Sequence, residues 1–233
     1  MKLKLAFGII ALYVVSLSVG INYGYGQTKP KPVSIKKKPD QIKTVSIGNQ
    51  IWMAENLNVS TYRNGDTIPE VQDAFEWSNL KTGAWCYYEN KTENGVIYGK
   101  LYNFFAVNDK RGLAPEGWHI ASDSEWTELA HYLGSDTIVG EKLKSNTGWD
   151  NKGNGKNTSG FTALAGGYRL TNGSYDSVGS FDYLGKFGYW WTGKTKGATD
   201  AWPRILSYNN KCIVRTINNK RNGGMSVRCV KNL

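Results

Sequence analysis

Histidine is almost missing from this chain. Only His119 and His131 occur among 233 residues, so a hydrolytic site resting on a histidine base has two places to stand. Both read as structural: His119 sits between Trp118 and Ile120 at the start of a core-bound run, and His131 falls on the solvent side of an amphipathic helix. Cysteine is scarce too. There are three, none before Cys86, which excludes a lipid-modified cysteine near the N-terminus; in an oxidising compartment three allow one disulfide and one leftover thiol. Long apolar runs are few. The stretch from Leu5 to Val19 ends after 15 residues, broken by Gly8, Ser16 and Ser18, and falls short of the roughly 20 that span a bilayer. No internal repeat and no second break in composition divides the chain after residue 43.

What is present begins with export. Lys2 and Lys4 precede the apolar run, and Gly24-Tyr25-Gly26 supplies a small-x-small cleavage pattern before Gln27, so residues 1–26 read as a cleavable secretory signal. The expected product lies in the periplasm, on the cell surface or outside the cell, with no stable membrane span.

The formal charge of +10 invites a nucleic-acid reading, which its distribution removes. Met1–Gly26 carries +2 and Gln27–Lys43 carries +5, leaving only +3 for Thr44–Leu233. With Pro30, Pro32 and Pro39 among its lysines, segment 27–43 reads as a solvated linker. Residues 44–233 are long enough for one sizeable core, and all nine tryptophans lie there.

Within that domain, Thr44–Ile47 and Gln50–Met53 flank Gly48-Asn49, a tight-hairpin pair. Asp73 and Glu76 have capping-box spacing for a short helix, and Ala84–Glu89 reads as an aromatic strand. Ser122 and Glu125 cap a helix over 122–133, whose Trp126, Leu129, Ala130 and Leu133 form one apolar stripe and which Gly134 ends. A second short helix falls near Val139–Lys144. Strands are expected at Phe161–Leu170, Gly188–Thr192, Trp202–Tyr208, Cys212–Ile217 and Met225–Val230, the last two pairing as a hairpin through Asn218–Gly224. The class is α+β on antiparallel sheet.

The blocks Ile51-Trp52-Met53-Ala54-Glu55-Asn56-Leu57, Tyr98-Gly99-Lys100-Leu101-Tyr102-Asn103, Pro115-Glu116-Gly117-Trp118-His119-Ile120, Gly160-Phe161-Thr162-Ala163-Leu164, Gly166-Gly167-Tyr168-Arg169, Tyr189-Trp190-Trp191 and Ser226-Val227-Arg228-Cys229-Val230 resemble, in family order, the Fibrobacter succinogenes major paralogous domain family. That family occurs on exported and surface proteins of Bacteroidetes and Fibrobacteres and has no agreed biochemical activity. The resemblance implies a C-type lectin-like fold, shared with the formylglycine-generating enzymes. Cys86 matches a frequent family cysteine while Ala114 stands where many relatives have another, which favours a Cys86–Cys229 disulfide, with Cys212–Cys229 across the final hairpin as the alternative.

A fold analogy does not carry function. Calcium-dependent sugar binding in that fold uses Glu-Pro-Asn or Gln-Pro-Asp and Trp-Asn-Asp, and none of these occurs. The nearest metal loop, with Asp150, Asn151 and Asn154, places Lys152 at a ligand position and Phe161 where a closing glutamate belongs. Formylglycine-type oxidation needs a closely spaced reactive cysteine pair, and Cys212 and Cys229 stand far apart. Aromatic platforms remain, because Trp and Tyr rings cover the C–H faces of sugars. Trp149, Tyr183, Trp190, Trp191, Trp202 and Tyr208 lie in or beside Gly/Asn-rich loops, with Arg204, Asn209 and Asn210 as polar partners; their competing role is to fill the core. Trp190 and Trp191 must face opposite ways if they share a strand. The expectation is an exported, non-catalytic binding or adhesion module, without a cofactor, for a glycan or a cell-envelope protein. The alternatives are a structural surface protein with no small ligand and an enzyme of the formylglycine-generating type.

Overall fold

The structure is a computed structural model that describes residues 42–171, 179–193, 202–216 and 223–233. The expected signal and, except for Ile42 and Lys43, the expected linker lie outside the described residues. Among the described residues no helix is long and apolar enough to cross a membrane.

The fold is α+β, with two main sheets and few short helices. Strands β1 (Thr44–Ile47) and β2 (Gln50–Met53) form the opening hairpin, with Gly48 at φ +60° supplying the turn. The chain's last strand, β12 (Cys229–Lys231), pairs between β2 and β5 (Trp118–Ile120), all antiparallel. Both ends of the domain thus close one four-stranded sheet. The small pair β3 (Trp85–Cys86) and β4 (Leu101–Tyr102) stands apart.

The second sheet runs β10 (Ile213–Arg215), β9 (Pro203–Ser207), β8 (Phe187–Trp191), β6 (Gly166–Arg169) and β7 (Phe181–Leu184), with β11 (Ser226–Val227) also pairing β8. Most neighbours are antiparallel, but β6 and β11 both run parallel to β8.

Helix α4 (Asp123–Tyr132) forms as its sequence requires. Ser122 accepts from the Glu125 N–H while the Glu125 carboxylate takes the Ser122 N–H at 2.7 Å, and Trp126, Leu129 and Ala130 are buried. Trp126 meets Trp52 at 5.0 Å, Phe161 at 5.4 Å and Trp190 at 5.9 Å between ring centroids. These rings tie the helix to both sheets in one apolar cluster. Full burial of each stabilises by about 2–3 kcal/mol. A second cluster gathers Met53, Tyr102, Phe104, Trp118, Trp191 and Val227, and a third surrounds Trp77 and Cys86.

Helices α1 (Ala74–Asn79) and α5 (Gly140–Leu143) fall where expected. Helices α2 (Thr92–Tyr98) and α3 (Phe104–Val107) were not foreseen; the first follows a 3-10 turn at Tyr88–Asn90 that cuts the expected strand 84–89 to two residues. The expected strand from Phe161 begins only at Gly166, because Thr162 at φ +55° breaks extended pairing. Among the described residues the expected final hairpin is not formed. Cys212–Ile217 contributes β10 against β9, and Met225–Val230 splits at Arg228 into β11 and β12, which join different sheets. The cause is the Arg228 guanidinium, which turns inward to donate to the carbonyls of Met53 at 2.9 Å and Phe161 at 2.7 Å.

Candidate functional site

Four of the nine residues singled out as ligand contacts are built into the interior. Trp149 is buried, its indole N–H donating to Ser145 Oγ at 3.1 Å and Ala163 O at 3.0 Å. The fully buried Trp190 and Trp191 donate to Asn56 Oδ1 and Tyr102 O, each at 2.8 Å. Arg204, 1% exposed, pairs with Asp123 at 2.8 Å and pins β9 to α4. Trp202 is half-buried under the Arg215 guanidinium, 4.0 Å from its ring centre.

The other four stay at the surface and come together with five residues that the sequence reading did not select, Tyr168, Phe187, Tyr189, Ile205 and Val214. Along β8 the side chains alternate, so Gly188 and Trp190 face the first core while Phe187 and Tyr189 face the other way. Tyr189 is paired with Ile205 on β9, and Ile205 with Val214 on β10, so these three share a face. On the other side, the Tyr168 ring of β6 lies 4.7 Å from that of Tyr189. The Tyr183 ring of β7 stacks on Tyr168 at 5.8 Å with planes 13° apart and meets Phe187 at 5.0 Å. One side chain from each of five strands therefore forms a row, about 19 Å long at about 4.8 Å per strand. Its ends are exposed, Val214 at 47% and Tyr183 at 37%, and its middle is half-buried.

Tyr183 owes its place to an unusual backbone. Tyr168 is paired with Asp182, so an extended Tyr183 would point to the opposite face. Its φ of +64° breaks the alternation and brings the ring over Tyr168. A tyrosine in the left-handed region costs about 1–2 kcal/mol, and such strain gathers at functional positions. Burial raises the hydroxyl pKa values of Tyr168 and Tyr189, so both stay neutral in the middle of the row.

Phe187 packs at 6.5 Å, edge on, against Tyr208. Tyr208 leads into a cavity of about 220 Å³ lined also by Asn209, Asn210, Asn154 and Lys152. Tyr183, Tyr208, Asn209 and Asn210 thus belong to one continuous surface. The missed residues had a legible signal: Phe187-Gly188-Tyr189 shows alternation, but the expected strand started one residue late.

The remaining expected chemistry is dispersed. The three cysteines are free, which corrects both disulfide expectations. Cys86 and Cys229 are buried in different apolar clusters, and Cys212 donates from Sγ to Thr137 O at 3.4 Å. Burial pushes each of the Cys86 and Cys229 thiols up to about 12. In the Asp150 loop, Asn151 and Lys152 adopt positive φ and Asn154 Oδ1 turns inward to the Trp149 N–H at 2.9 Å, which takes it from any metal. Among the described residues no group of three or more His, Cys, Asp or Glu side chains converges on one point. His119 contacts Glu125 at 2.6 Å and Asn232 at 2.7 Å, completing the cap of α4 and the closure of β12.

The fold and this surface define an α+β domain that carries an aromatic sheet face. The chain belongs to the Fibrobacter succinogenes major domain family, whose model matches residues 45–231. No curated protein and no solved structure matches it.

Proposed function

We propose that this is an exported, non-catalytic binding module of C-type lectin-like architecture that recognises a glycan at or beyond the cell envelope. The observation that carries the reading is Tyr183, held at φ +64° so that an exposed ring stacks on Tyr168. A backbone conformation that costs stability and presents an aromatic ring to solvent is understandable where the ring meets a ligand. Sugars fit such a row because their C–H faces lie on aromatic rings while tyrosine hydroxyls reach their hydroxyl groups. The nearly balanced charge of the folded part favours neither nucleic acid nor an anionic membrane surface.

The test is calorimetric titration of the chain lacking residues 1–26 with cell-wall and plant polysaccharides, beside Tyr183→Ala and Tyr189→Ala. Tryptophan fluorescence is a poor reporter, since Trp202 is the only tryptophan that is not buried and it lies outside the row. Binding that each substitution weakens by about tenfold, or 1.4 kcal/mol, supports the reading. Absence of glycan binding, or binding indifferent to both substitutions, overturns it.

A further inference from the structure

The cavity beside Tyr208 is built around a buried cation. Lys144 is 3% exposed, and its ammonium donates to Ser207 O at 3.1 Å and Asn210 O at 3.0 Å. An ammonium has three N–H donors, and among the described residues no carboxylate lies within ion-pair distance of it. A buried charge without a counter-ion is costly, and burial holds this lysine's pKa below its usual value.

The other charged side chains of the lining are Lys152, Lys211 and Glu141. Glu141 is its one carboxylate, and both oxygens are engaged, by Lys156 at 2.8 Å and Lys211 at 2.9 Å. Lys152 is exposed, and among the described residues it has no ion-pair partner. Asn154 Oδ1 accepts from the Trp149 N–H and Asn210 Oδ1 from the Cys212 N–H, each at 2.9 Å. Both amide oxygens are thereby occupied, which leaves the NH2 groups as the free ends of these side chains. The cavity offers donors and cations and holds no free carboxylate.

We propose that this cavity takes an anionic oxygen group of the bound glycan, a uronate carboxylate or a sulfate ester, against Lys144 and Lys152. The assignment rests on the glycan reading of the adjoining aromatic row, to which Tyr208 connects the cavity through Phe187. The row supplies stacking that any sugar satisfies, and the cavity selects an acidic one through charge-assisted hydrogen bonds.

The experiment titrates the chain lacking residues 1–26 with oligogalacturonate and its methyl ester, and with a sulfated galactan and its desulfated form. One acidic ligand is expected to bind at least about tenfold tighter than its neutral counterpart, by a margin that shrinks with added salt. Which pair shows the margin tells carboxylate from sulfate. Lys152→Glu, an exposed position where folding is not at stake, should abolish the margin and leave the neutral ligand's affinity unchanged; Lys144→Met should do the same where it folds. Equal binding of acidic and neutral forms, or a margin that survives Lys152→Glu, overturns the proposal and leaves the glycan reading standing. Absence of binding by all four ligands overturns both.

Discussion

Trp190 and Trp191 are consecutive residues that fill separate cores: Trp190 packs with Trp126 at 5.9 Å and Trp191 with Phe104 at 5.3 Å. Strand alternation makes this possible, and it turns one dipeptide of β8 into the joint between two apolar clusters. Either Trp→Ala variant is expected to lose about 3–5 kcal/mol. Either Trp→Phe variant should lose less, because each indole's acceptor keeps a second donor, Arg228 Nε at Asn56 and the Met225 N–H at Tyr102 O. Urea unfolding of the four variants checks the order; equal losses for Ala and Phe at one position would contradict it.

Arg228 separates β11 from β12 and donates to Asn56 Oδ1 and to the carbonyls of Met53, Phe161 and Thr162. A lysine carries three N–H donors and no planar fork, so Arg228→Lys leaves buried acceptors unpaired. Each costs about 1–3 kcal/mol, and a loss of at least about 2 kcal/mol is expected in denaturant unfolding. A variant as stable as the parent would show that the guanidinium bonds contribute nothing.

The cysteines give a test independent of any ligand. Cys212 is half-exposed, whereas Cys86 and Cys229 are buried with thiols pushed up to about 12. A thiol reagent such as dithionitrobenzoate should label one cysteine quickly in the native protein and all three in denaturant. Fewer than three in denaturant would reveal a disulfide.

The parts of the fold that could be read from sequence are those decided locally. The hairpin at Gly48-Asn49 and the α4 cap at Ser122 and Glu125 depend on residues within four positions of one another, and both stand as expected. Strand partners distant in sequence were not legible. Nothing near Met225–Val230 announces that Arg228 will reach Met53 and Phe161 and send its two flanks to different sheets. The site divides in the same way. Tyr208, Asn209 and Asn210 were legible from turn composition, but Tyr168 and Tyr189 become neighbours, half-buried against the second apolar cluster, only through the parallel pairing of β6 with β8. Tyr183 was singled out for its place beside a Gly-rich loop, but the left-handed backbone that brings it over Tyr168 was not legible.

Acid should weaken the cap of α4. Burial alone would push the Glu125 carboxyl up, but the Ser122 N–H and hydroxyl and His119 together hold it below the usual 4.5. A carboxyl whose folded pKa is depressed contributes stability above its unfolded value, and loses it as pH falls through the folded one. Glu125→Gln is therefore expected to cost about 1 kcal/mol near neutrality, the usual worth of a cap, and to converge with the parent in acid, where Glu125 is itself protonated. Thermal unfolding of both proteins from neutral pH downward measures this. A gap that stays constant with pH would assign the loss to packing and not to charge.

Tyr183 should trade stability against binding. Glycine adopts φ +64° without the cost a side chain incurs there, so Tyr183→Gly recovers about 1 kcal/mol of strain. It also forfeits the ring contacts with Tyr168 and Phe187, worth about 0.5–1.5 kcal/mol for an aromatic pair. The two nearly cancel, and Tm is expected to move by only a few degrees, roughly what 1 kcal/mol does in a domain of this size. Tyr183→Ala keeps a Cβ at the strained φ and loses the same ring, so it should be the less stable of the two. If the ring serves a ligand, both variants lose glycan affinity equally despite their different stabilities. A Tyr183→Gly protein far less stable than the parent would instead make the ring a structural element.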